Sequence, residues 1–111
     1  MKIDVAGRAR REIKRIDAWW RASRDSQELF KQELANAEEF LASTPELANV
    51  YVIRRKRKIR WLLLPKTEVK LYYWIDEKQA VVHVVSAWGA RRERGPKLRP
   101  DDERSERSTR T

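Results

Sequence analysis

The sequence predicts an α+β domain of two layers, an N-terminal strand and an α-helical hairpin packed on a mostly antiparallel β-sheet, in the order β-α-α-β-β-β-β. Three observations carry this. Apolar residues recur at helical spacing in two blocks before Pro45. Beyond Pro45 they give way to runs rich in β-branched and aromatic residues. Those runs are joined by the short links RKRK, PKTE and DEKQ, which are of hairpin length and make neighbouring strands antiparallel.

Each element has its own reason. Lys2–Val5 alternates polar and apolar residues, the mark of a short half-buried strand. From about Arg8 a helix begins. Ala9, Ile13, Ile16 and Trp20 line one stripe, and Arg10, Arg11, Lys14, Arg15 and Asp17 face outward. Trp19 sits beside the stripe. Asp25 is placed to cap a second helix, with Glu28 completing a capping-box pattern. Phe30, Leu34, Ala37 and Leu41 repeat the helical spacing, widened by Leu29 and Phe40. Thr44, preceding Pro45, is pushed out of helical geometry and ends the helix. The link near Ala22–Arg24 is short, so the helices should form an antiparallel hairpin with both stripes on one surface. Strands are expected around Val50–Arg54, at Ile59–Leu64, at Val69–Ile75 and at Ala80–Ala87. Residues 1–98 read as one domain. Residues 99–111 contain no apolar side chain and read as a disordered polar tail, because nothing there offsets the entropy of ordering.

Composition narrows the function classes. The chain has 111 residues, no cysteine and one histidine, which excludes disulfides and thiolate chemistry and argues against a side-chain metal site. No cofactor and no small-molecule ligand is expected. The N-terminus has no apolar signal region and no stretch approaches the roughly 20 apolar residues of a membrane span, so a cytoplasmic protein is expected. The net charge of +9 is unevenly spread: residues 49–66 hold seven basic side chains and no acidic one, whereas residues 25–48 hold one basic and six acidic. A clustered positive charge of this kind suits phosphates or an acidic protein surface.

Residues 59–98 are the most informative stretch. Two strand-like segments run into the corner Trp88–Gly89 and then into Arg91, Arg92 and Arg94. Taken with RARREIKRIDAWW near the start, the segments KIRWLLLPKTEVKLYYWID and VVHVVSAWGARRERGPKL resemble, in order, the opening helix, the paired central strands and the basic C-terminal corner of the RelE/ParE superfamily of bacterial type II toxins. The last segment resembles the ParE-like branch specifically, and the likeness spans residues 2–98. The resemblance implies the β-α-α-β-β-β-β fold, a cognate antitoxin as partner, and one of two targets. ParE-like members act on DNA gyrase; RelE-like members cleave mRNA at the ribosome.

For gyrase, the resemblance and the charge pattern together single out Arg60, Trp88, Arg91, Arg92 and Arg94 as target contacts. For metal-independent mRNA cleavage the basic candidates are Lys56, Lys58, Arg60, Arg91 and Arg92. Family ribonucleases also often place a tyrosine or histidine near the C-terminus. Here the last tyrosine is Tyr73 and nothing after Trp88 is Tyr or His, which favours the non-enzymatic gyrase reading and keeps the ribonuclease as the alternative. A non-toxic basic nucleic-acid-binding module is a third reading. His83, in VVHVV, is expected to be a structural or surface histidine sharing a face with Val81 and Val85. Arg60 interrupts an apolar strand, so it either faces outward or is paired, because burying a lone guanidinium is costly. Tyr72, Tyr73 and Trp74 must alternate between the sheet faces, with at least one ring under the helices. Trp19 and Phe40 are the expected antitoxin contacts.

Overall fold

A computed structural model describes residues 1–23 and 26–89 of the chain. Its elements are β1 (Lys2–Val5), α1 (Gly7–Arg21), α2 (Leu29–Ser43), a single 3-10 turn (Pro45–Leu47), β2 (Asn49–Arg54), β3 (Arg57–Leu64), β4 (Val69–Asp76) and β5 (Val81–Gly89). The five strands make one sheet in the order β1-β5-β4-β3-β2. Strands β2 to β5 pair antiparallel with their neighbours. Strand β1 lies parallel to β5, with Lys2 opposite Val81 and Val5 opposite Val84, so the expected order and the mostly antiparallel sheet are both present. The expected 99–111 tail lies outside the described residues.

The helical stripes fold as their spacing demands. Ala9 is fully buried, and Ile13, Ile16 and Trp20 pack against the same core. From α2, Phe30, Ala37 and Leu41 are buried and Leu34 packs beside them. The sheet meets them with Leu64, Val69, Leu71, Tyr73, Val82, Val84 and Ala87. Burial on this scale, at about 25 cal/mol per Å² of apolar surface, is the main force holding helices to sheet.

The connection between the helices departs from expectation. Helix α2 starts only at Leu29, Glu28 is its N-cap residue, and that residue's side chain makes no capping hydrogen bond. The capping box is therefore not formed at Glu28, and Asp25 lies outside the described residues. The link runs from Ala22 to Glu28 rather than over three residues. Strong apolar spacing beginning at Leu29 and Phe30 sets the helix start, and it overrides the weaker capping preference of residues 25–28. The other end behaves as predicted: α2 stops at Ser43, and Pro45 opens the 3-10 turn.

Two glutamates tie the helical layer to the sheet. At β5 the register slips between Val84 and Ser86, leaving Val85 as an extra residue opposite β4. Glu12, from α1, accepts hydrogen bonds there from the Ser86 hydroxyl (3.0 Å) and the Ala87 backbone N–H (2.9 Å). Its other oxygen pairs with Arg8 at 3.1 Å. Glu33, from α2, accepts from the backbone N–H groups of Lys66 (2.7 Å) and Thr67 (2.9 Å) and from the Thr67 hydroxyl (2.7 Å), which organises the β3–β4 turn. Both carboxylates satisfy donors that their surroundings withdraw from water, since Ser86 is 0% and Thr67 5% exposed.

Removing Glu12 should therefore cost more than a surface charge. Glu12→Ala is expected to destabilise the fold by about 2 kcal/mol, because it strands buried donors at the bulge. Glu12→Gln, which keeps one acceptor, should cost less. Urea unfolding of the three proteins checks both the size and the order.

Candidate functional site

The sheet has two apolar faces, and the helices cover only one. Ile59, Tyr72, Trp74 and Val85 are buried in a second cluster, with Val52, Trp61 and Trp88 packed against them. No helical residue belongs to this cluster. The alternation along β4 produces the split: Tyr73 lies under the helices, and Tyr72 and Trp74 point to the opposite face. Strand β5 divides in the same way, with Val82 and Val84 beneath the helices and Val85 on the far side.

Polar side chains shield the second cluster. The Arg57 guanidinium lies 3.9 Å from the Trp74 ring centroid, and the Lys70 ammonium lies 4.4 Å from that of Trp61. His83 stacks on Trp74 with centroids 4.4 Å apart and planes 22° from parallel. Beyond it, His83 Nδ1 is 3.4 Å from Asp4 and Nε2 is 3.7 Å from Asp76. A column thus runs across the sheet from Arg57 through Trp74 to His83 and on to the two carboxylates. His83 is half-buried and in contact with Trp74, on the same face as Val85. Lysine and arginine stems cover apolar area while their heads stay hydrated, and each ring contact adds about 0.5–1 kcal/mol at an exposed site.

The edge hairpin β2–β3 completes the face. Strand β2 carries an irregularity between Val50 and Val52, which leaves Tyr51 out of register. Its ring lies edge-on against Tyr72, centroids 4.8 Å apart, and Tyr51 is 41% exposed. The hairpin turns at Arg55 and Lys56, which have φ of 51° and 66°. Two successive left-handed residues are the mark of a type I′ turn, for which Asn-Gly is the usual choice. Here two exposed basic residues occupy it.

The predicted site residues scatter. Lys56 is exposed in the turn and Lys58 is exposed on β3. Arg60 is on the helix side: its Nη1 donates to the Ala48 carbonyl at 2.7 Å, so the guanidinium is spent on tethering the segment after the 3-10 turn. It lies close enough to Tyr73 to act on that phenol, whose hydroxyl donates to the Pro45 carbonyl. Trp88 packs against the second cluster. Arg91, Arg92 and Arg94 lie outside the described residues. Trp19 is 61% exposed, stands edge-on to Trp20 at 5.1 Å, and borders an apolar cleft with Ile16, Thr67, Glu68, Val69 and Gly89. Phe40 is half-buried and packs into the main core, so it offers only an edge. Sequence reasoning did not single out Tyr51, Trp61 and Lys70, and it met Arg57 only as one member of the basic 49–66 block. Among the described residues, no group of three or more His, Asp or Glu side chains is arranged to hold a metal ion, and no helix is long and apolar enough to cross a membrane.

The architecture has relatives among solved structures. The isolated E. coli RelE toxin aligns with a TM-score of 0.55 at 22% identity, covering 83% of this chain and 86% of that one. The chain has the fold of the RelE toxin. A chain of the intact E. coli RelBE toxin-antitoxin complex aligns at a TM-score of 0.52 and 20% identity, over 84% of this chain and 98% of its own. No family model and no curated protein matches the sequence.

The buried phenols set a pH limit. Burial pushes both Tyr72 and Tyr73 up to about 12, with Tyr51 adding at Tyr72, and Arg60 opposing the shift at Tyr73. A phenol raised above its unfolded value of about 10 favours the folded state while it is neutral. That contribution is complete below about pH 10 and is lost as pH rises to about 12. The melting temperature should accordingly fall over that window, and Tyr72→Phe or Tyr73→Phe should flatten the fall. Thermal unfolding at several alkaline pH values measures it.

Proposed function

We propose that this chain is the toxin of a bacterial type II toxin–antitoxin pair, acts in the cytoplasm, and inhibits DNA gyrase by binding it rather than by catalysis. The fold likeness to RelE, alone and as aligned from the RelBE complex, is the observation that supports the toxin reading. The choice of gyrase rests on the ParE-like resemblance of WGARRERGPKL, whose arginines Arg91, Arg92 and Arg94 we take as target contacts together with Trp88.

Proton-bearing groups on the uncovered face favour binding over cleavage. Attack by a ribose 2′-hydroxyl requires a base and an acid that exchange protons near neutral pH. The Tyr72 phenol, at about 12, is a poor carrier there. Both His83 nitrogens lie against carboxylates, Nδ1 3.4 Å from Asp4 and Nε2 3.7 Å from Asp76. Lys58 and Arg60 do not converge on either group: one is exposed on β3 and the other is tied to Ala48.

The antitoxin, on this reading, is an acidic protein whose apolar side chains cover Trp19 and the cleft beside it. The predominance of basic over acidic side chains gives it long-range attraction.

Two assays test the proposal. Purified protein at stoichiometric excess should block gyrase supercoiling or accumulate cleaved DNA, and message in a ribosome-containing extract should stay intact. Inert gyrase with cleaved message would instead establish the ribonuclease. In the presence of the protein encoded by the neighbouring reading frame, inhibition should disappear, and Trp19→Ala should weaken that neutralisation about tenfold or more.

A further inference from the structure

The apolar side chains that neither core claims gather at one edge of the sheet. Among the described residues, seven large hydrophobic side chains are exposed, and four of them, Leu47, Val50, Tyr51 and Ile53, lie between residues 47 and 53. Tyr51 leans on Tyr72. Leu47 (70% exposed), Val50 (45%) and Ile53 (61%) belong to neither apolar cluster. Val50 and Ile53 stand opposite Arg60 and Lys58, where the helices leave them uncovered. Strand β2 is also an edge strand with β3 as its one neighbour, so its outer backbone groups have no strand partner. Charge brackets the patch. Glu46 precedes it, exposed in the 3-10 turn, and the exposed Arg54, Arg55 and Lys56 follow it. The chain has the same polarity on a larger scale: residues 25–48 hold six acidic side chains and one basic, and residues 49–66 hold seven basic and no acidic.

From these we infer that the β2 edge is a docking surface for a second copy of this chain, the two β2 strands running antiparallel about a two-fold axis. Leu47, Val50 and Ile53 of one copy pack against those of the other. Glu46 of each copy meets the Arg55–Lys56 turn of the other.

The order of charges along the patch selects this occupant. A surface that is apolar at its centre, acidic at one end and basic at the other is complementary to itself. A two-fold axis reverses the ends, so unlike charges meet on both sides of the apolar strip. A parallel neighbour would set turn against turn and like charges side by side. An acidic segment of another protein would answer the cations but oppose Glu46 with like charge. Edge strands are commonly guarded by a slip and by basic residues, and β2 has both. The guard here is one-ended, because its cations stand at the turn. The slip between Val50 and Val52 shortens the stretch a backbone ladder can use, so side chains anchor the contact. In the antiparallel pair the two turns lie at opposite ends of a strand of six residues, roughly 20 Å apart at about 3.3 Å per residue. That exceeds the Debye length of about 8 Å in physiological salt, so their repulsion is screened. Three apolar side chains per copy make a contact below the roughly 1,200 Å² of a stable interface, and a micromolar, concentration-dependent dimer follows.

This inference does not rest on the toxin reading, and its test uses neither gyrase nor antitoxin, so each can fail alone. Analytical ultracentrifugation of the full chain, from about 1 to about 300 μM in physiological salt, should show a monomer passing reversibly into a dimer. Ile53→Asp, at an exposed position, should weaken the dimer about tenfold or more and leave the melting temperature unchanged. Glu46→Lys and Lys56→Glu should each weaken it about tenfold, because each sets like charges together at both ends of the interface. An equal mixture of those two variants should recover the parental affinity, since the mixed dimer restores an opposite-charge contact at each end. The chain has no cysteine, so the single thiol of Ile53→Cys should cross-link through a short bis-maleimide. Lys14→Cys, on the exposed side of α1, should not. A chain that stays monomeric at the highest concentration, a dimer that survives Ile53→Asp, or a mixture as weak as its components would overturn the inference.

Discussion

The fold depends on one carboxylate. Strand β5 is paired on both sides, parallel to β1 and antiparallel to β4, and its extra residue at Val85 would leave hydrogen-bonding groups without strand partners. Glu12 supplies the missing acceptor from outside the sheet, and so fixes α1 over β5. A buried polar group without a partner costs about as much as a sizeable fraction of a small domain's stability. The helix consequently cannot slide along the sheet without stranding the bulge. Glu33 repeats the device on α2, where it closes the β3–β4 turn. Apolar burial presses the layers together; these two carboxylates decide their register.

A second constraint follows from having five strands and two helices. The helices cover one face, yet β3, β4 and β5 put large apolar side chains on both. Leaving Trp74 and Trp61 bare would create the sort of exposed patch that drives association. Arg57, Lys70 and His83 cover those rings instead, the first two with cationic side chains and the third by stacking. The high proportion of charged residues and the aromatic content are therefore one design: the cations stand in for a missing layer.

Much of this was legible in advance. The helical stripes, the stop at Pro45, the hairpin-length links and the alternation of Tyr72, Tyr73 and Trp74 each follow from a local rule of spacing or backbone geometry. The start of α2 was not, because capping residues near 25–28 compete with apolar spacing that begins at Leu29, and packing decides between them. Arg60 illustrates the opposite case. Its position in an apolar strand announced that it must be paired or outward, but the partner, the Ala48 carbonyl, is 12 residues away and is brought near by the pairing of β2 with β3, which sets Val50 opposite Arg60.

By itself, then, the sequence determined the element order, which side chains enter the helix-facing core, and the basic character of the 49–66 hairpin. These are properties of short segments, set by the 3.6- and 2-residue periods and by proline. Tertiary structure alone decided that β1 returns to lie beside β5, that Glu12 and Glu33 hold the bulge and the turn, and that Arg57, Lys70 and His83 settle on tryptophans. Those outcomes join residues far apart in the chain, and which partner wins is settled by the register of the whole sheet. No local pattern encodes that register.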